Sequence, residues 1–161
     1  QRGVDACAGM HYNELNRLLQ RGVLPEDLVV FNLWKQGVVL PEDGIYAREQ
    51  TWREDPAFCQ AFARASLAGW RYAREHQEEA LDAVMRHVRE DNLPTNRPHM
   101  RWMLGEILRS IFPEPGDPWA FGRISPQAYG RAVQILEQHA HVGGASAYDN
   151  FVTPEARHVV P

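Results

Sequence analysis

The stretch Val4-Asp5-Ala6-Cys7-Ala8-Gly9-Met10-His11-Tyr12-Asn13-Glu14-Leu15 decides how the rest of the chain is read. Its first seven residues are small and β-prone, which predicts a buried strand over 4–10. Leu15, Leu18 and Leu19 then share one side of a helix predicted over 11–21, with Gly22 as its stop. Pro25-Glu26-Asp27 turns the chain into a second strand-like run, 28–34, and a third covers 38–47 with Gly37 and the Pro41 to Gly44 segment as turn text. An opening on a buried strand reads as the middle of a fold. The expectation is therefore that the chain is cut from something longer.

After Asp55 the apolar spacing changes from strand-like to helical. Asp55-Pro56 is a capping residue followed by proline at the first helical position. Phe58, Phe62, Ala65, Gly69 and Ala73 then recur three and four apart, one face of a long helix. A break near His76-Gln77 precedes a second helix, with Leu81, Val84, Met85 and Val88 inward. Asn92 to Pro98 is a polar loop, and residues 98–112 form a third helix. Pro113 to Gly122 is too rich in proline and glycine for regular structure. Ser125-Pro126 starts a fourth helix through residue 140, and the tail from Tyr148 reads as irregular. The predicted class is α/β, with helix-rich text after the strands.

The chain has 161 residues, 44% hydrophobic and 24% charged, enough for one domain with a core. A net charge of −4 argues against nucleic acid as a partner. Of the 17 basic residues only Lys35 is a lysine, so Schiff-base chemistry has a single candidate. Cys7 and Cys59 read as two separate buried thiols, and no apolar run is long enough to span a membrane.

Tyr12-Asn13-Glu14 would lie where a strand ends and a helix begins, the place where open α/β folds bind ligands. The tyrosine ring offers a stacking face, Asn13 both a donor and an acceptor, and Glu14 two acceptor oxygens. That set suits an aminopyrimidine. The same three residues also suit a plain helix start, with Asn13 capping and Glu14 favoured by the helix dipole, and the residues alone leave both open. Trp34 and Glu42, beside the turn text around Gly37 and Gly44, are further candidates for ligand contact. His139 and His141, two apart on a helix end, point to different sides, so no metal site is expected. His76, His87 and His99 read as surface or satisfied polar positions. No nucleophile or phosphate-loop motif is present, and no catalytic residue is assigned.

Several motifs have a familiar order. Gly3-Val4-Asp5-Ala6, Tyr12-Asn13-Glu14-Leu15 and Leu40-Pro41-Glu42-Asp43-Gly44-Ile45-Tyr46 resemble the C-terminal half of periplasmic solute-binding proteins that capture thiamine-pyrimidine precursors. Phe62-Ala63-Arg64-Ala65-Ser66-Leu67-Ala68-Gly69-Trp70, Glu78-Glu79-Ala80 and Tyr148-Asp149-Asn150-Phe151-Val152-Thr153 are similar to later motifs of the same family. The resemblance covers essentially the whole chain and implies that roughly the first half of the protein is missing from it.

It further implies the C-terminal portion of a two-lobed type II periplasmic binding protein fold. Residues 1–33 would end the second lobe, 34–46 would form the inter-lobe crossover or hinge, and 47–161 would belong to the first lobe. The implied function is binding of a thiamine-pyrimidine-precursor-like heterocycle for an ABC importer, by hinge closure in the periplasm, with a permease as partner and no cofactor. Ligand contact would fall to Tyr12, Asn13, Glu14, Trp34 and Glu42. A strand-exchanged homodimer is a further expectation, since a truncated sheet leaves unpaired edges. One alternative is the sensing domain of a signalling protein. A similar eukaryotic pyrimidine synthase is disfavoured, because it carries a cysteine-rich run where this chain has Gly37 to Gly44, and Lys35 does not match its cofactor lysine.

Overall fold

The computed structural model describes residues 3–38, 40, 43–112, 121–139 and 143–152. Contacts divide the chain into two compact units, one of Gln1–Val30 with Tyr72–Phe112, the other of Phe31–Arg71 with Pro113–Pro161.

In the first unit a π-helical turn, His11–Leu15, runs directly into α1, Asn16–Gln20. A single 3-10 turn, Pro25–Asp27, follows. Gly22, at φ +86°, makes the left-handed turn that ends α1, a conformation in which any side chain would be strained. The other helices of this unit are α4, Gln77–Glu90, and α5, Arg97–Ile111. Asn96 starts α5 by accepting the His99 N–H at 2.9 Å, and Pro98 stands in the first turn, where a missing N–H has no consequence. The turn at His11–Leu15 and α1 both pack on α5, which packs in turn on α4.

Leu81 and Val88 of α4 and Leu108 of α5 are buried, and they anchor this packing. Ion pairs decorate it. Arg101 reaches both carboxylate oxygens of Glu78 at 2.7 Å, and Arg97 bridges Glu78 and Asp82. These side chains are more than a third exposed, so solvent screens the pairs and they add little beside the burial of the leucines. Apolar burial wins.

The second unit holds a 3-10 turn at Trp34–Gln36, then α2, Glu49–Glu54, the greater part of α3, Pro56–Glu75, then α6, Pro126–His139, and α7, Tyr148–Phe151. Asp55 caps α3 through the Phe58 N–H and Ser125 caps α6 through the Ala128 N–H, as the sequence leads one to expect. Gly122 lies at φ +68°, and a Cβ there would come within 2.4 Å of a Leu67 methyl, so only glycine fits. Tyr148 donates its hydroxyl to the Ile124 carbonyl at 2.9 Å. Tyr129 packs against both Phe151 and Tyr148.

Two expectations are overturned. The α/β class fails because no strand occurs among the described residues, which are predominantly helical. With the sheet goes the two-lobed type II architecture built on it. A strand exists only through hydrogen bonds to a neighbour, and the β-prone runs expected over 4–10, 28–34 and 38–47 form no such ladder among their described residues. Their side chains are exposed too, Val29 at 83% and Phe31 at 79%. The tail from Tyr148 is not wholly irregular either, since its first turn is α7. The expected irregular loop at Pro113 to Gly122 falls mostly outside the described residues. No described helix is long and apolar enough to cross a membrane.

Stability should follow the buried leucines rather than the exposed apolar run. Leu81→Ala should cost about 2–5 kcal/mol and Val29→Ala about 0.5 kcal/mol or less, read from urea unfolding followed by circular dichroism.

Candidate functional site

Tyr12, Asn13 and Glu14 all lie in the π-helical turn of the first unit, at the edge of α5. A π turn admits one more residue than an α turn, and this lets Glu14 reach back to Met10, the residue before the helix. Its Oε2 accepts the Met10 N–H at 2.7 Å. Its Oε1 accepts from the Asn13 side-chain nitrogen at 3.1 Å. This is the carboxylate half of a capping box, one residue further along than usual, since Met10 at the N-cap has no side-chain bond to return. Gly9 allows it, since a Cβ there would stand 3.1 Å from the Glu14 Cβ.

Behind this turn lies a histidine. His99, in the first turn of α5, is 2% exposed and is the one polar side chain among the buried described residues. Its Nε2 lies 2.9 Å from the Asn13 Oδ1 and its Nδ1 lies 3.0 Å from the Asn16 Nδ2. Asn96, which caps the helix below it, is itself held by Gln20 Oε1 at 3.3 Å. Arg17 closes the group by donating to the Pro94 carbonyl at 3.1 Å.

The chemistry permits one consistent assignment of the protons. An ionised carboxylate can only accept, so Asn13 must turn its NH₂ to Glu14 and its carbonyl oxygen to His99. His99 must then carry its proton on Nε2, which leaves Nδ1 as an acceptor for the Asn16 NH₂. Glu14 is exposed, and its carboxyl is held below the ordinary range, first by the Met10 N–H and next by its own backbone N–H. The His99 pKa is lowered from 6.5, foremost by burial and then by Arg17, with Glu14 opposing. Both directions favour the same state, an anionic Glu14 and a neutral His99.

Of the expected site residues, Tyr12 is half-buried, Asn13 half-buried and Glu14 exposed on this one turn. Trp34 belongs to the second unit, in the 3-10 turn Trp34–Gln36, with its ring 72% exposed. Glu42 lies outside the described residues. The partners that sequence reading misses are His99, Asn16 and Asn96. His99 stands four residues before Met103, on the apolar face of α5, and that spacing is the signal for a buried position. His11 belongs to the same neighbourhood, with its Nδ1 3.5 Å from Glu106 and its ring 6.2 Å from that of Trp102.

Residues 1–80 match the family model described as NMT1/THI5 like. The match supports the family that the opening motifs resemble and is consistent with a solute-binding role. It spans Tyr12, Asn13 and Glu14. No curated protein and no solved structure matches the chain.

The lowered His99 pKa has a consequence for stability. With the folded value below the unfolded one, the unfolded chain binds more protons in the interval between them, so stability rises with pH there. The contribution of neutral His99 is complete above pH 6.5 and is lost as pH falls from 6.5 through the lower folded value. The urea midpoint should therefore drop between pH 7.5 and pH 5, and His99→Gln should flatten that part of the profile.

Proposed function

We propose that the protein is a solute-binding component serving an importer, and that it captures a heterocycle of the thiamine-pyrimidine-precursor class against Tyr12, Asn13 and Glu14. The observation that carries this reading is the family match over residues 1–80, which includes that turn. The geometry supports it. Glu14 is exposed and ionised, and the Met10, Asn13 and own-backbone donors do not exhaust the roughly four acceptor positions of a carboxylate. An exocyclic amine is the natural donor to such a group.

Binding rather than synthesis is the reading we favour. The similar eukaryotic synthase carries a cysteine-rich run where this chain has Gly37 to Gly44, and no cysteine stands there. The periplasm is the compartment this role implies. Ligand release to a permease then requires that capture be reversible, which a few hydrogen bonds supply.

Titration calorimetry with 4-aminopyrimidines tests the reading. Glu14→Gln removes the charge from that hydrogen bond and should weaken binding about tenfold. Glu90→Gln, on α4, should leave it unchanged. Equal affinity in a normally folded Glu14→Gln protein would reduce Glu14 to a helix-start residue.

A further inference from the structure

Glu14 and the buried histidine together fix which way the proposed ligand wall is polarised. Asn13 is an ambiguous residue, since its side-chain amide presents a donor or an acceptor according to how it is turned. Two neighbours remove the ambiguity. Glu14 Oε1 takes one N–H of the amide, and His99 Nε2, 86 residues away in sequence, faces its carbonyl oxygen at 2.9 Å. The imidazole cannot move away, because its other nitrogen is held by Asn16 and its backbone N–H by Asn96.

We propose that His99 is a positioning residue that fixes Asn13 as a donor beside the Glu14 acceptor. The wall then takes a heterocycle edge on which a hydrogen-bond donor adjoins an acceptor. The inference rests on the functional reading above and specifies the ligand further. With the Asn13 carbonyl occupied by His99, the second N–H of its amide is the group left to offer a ligand. A 4-aminopyrimidine matches, its exocyclic amine donating to Glu14 and its adjacent ring nitrogen accepting from Asn13. Unsubstituted pyrimidine has the acceptor but no donor, so it leaves Glu14 unpaired. His99 touches no ligand atom in this scheme and acts through Asn13.

Two measurements decide the matter. Long-range ¹H–¹⁵N correlation spectra of the unliganded protein at pH 7.5 report the tautomer directly. We expect neutral His99 protonated on Nε2, and a proton on Nδ1 would overturn the proposal with or without a ligand. Calorimetry then compares 4-aminopyrimidine with pyrimidine in wild type, His99→Leu and His99→Gln. The leucine variant removes the donor and should weaken 4-aminopyrimidine about tenfold. The glutamine variant, whose amide N–H can replace Nε2–H, should recover most of that loss. A merely structural His99 would lower the thermal midpoint in both variants and leave the affinity of the folded protein alone, which would refute positioning. If wild type binds neither compound the ligand reading fails, while the tautomer still decides whether His99 orients Asn13. Should Glu14→Gln weaken binding and His99→Leu not, the positioning role falls alone.

Discussion

A buried imidazole must have both ring nitrogens satisfied, and the first unit is arranged around that requirement. At 2% exposure His99 has no recourse to water, and a nitrogen left without a partner would cost about 1–3 kcal/mol. The partners come from the far end of the sequence. Asn13 and Asn16, one turn apart, reach the two nitrogens, and this ties the first helical segment to α5 across more than eighty residues. Apolar contacts alone would tolerate sliding of one helix along the other. A ring with two nitrogens in fixed directions does not.

The polarity of the network originates at its exposed end. Glu14 is the only member that cannot donate, so its charge sets the orientation of Asn13, then the tautomer of His99, then the orientation of Asn16. Hydrogen bonds in such a chain polarise one another in low dielectric, which makes the arrangement more than a set of independent pairs. The same chain explains why burial and Arg17 can keep His99 neutral without strain. A protonated ring would turn an N–H towards the Asn16 NH₂, so Asn16 would have to flip its amide to accept it.

Legibility divides along physical lines. The helices from Asp55 onward are readable because their determinants are local: Asp55 and Ser125 cap within their own turns, and the apolar residues repeat at helical spacing. The strands are misread because β-propensity records a side chain's fit to a pleated, half-buried surface and says nothing about whether a neighbour exists to pair with. Val29, Val30 and Phe31 have the composition of a strand and no ladder. In the candidate site, Tyr12, Asn13 and Glu14 can be singled out from residue type and position. Their support cannot. His99 looks like one scattered histidine among several until the fold sets it behind Asn13.

That hidden support bears on how a small turn could hold a ligand at all. A glutamate side chain free in water loses up to about 1.5–2 kcal/mol of rotamer entropy when it is fixed, and a ligand that had to fix it would bind more weakly by that amount. Here the fixing precedes any ligand. Met10 and Asn13 hold the two oxygens, and Gly9 supplies the close approach that lets the main chain fold back over Glu14. His99 in turn holds Asn13, and α5 holds His99. The rigid body of the unit thus extends through one buried ring to an exposed carboxylate. In the proposed role, the affinity of the turn depends on the histidine behind it as well as on the residues a ligand would touch.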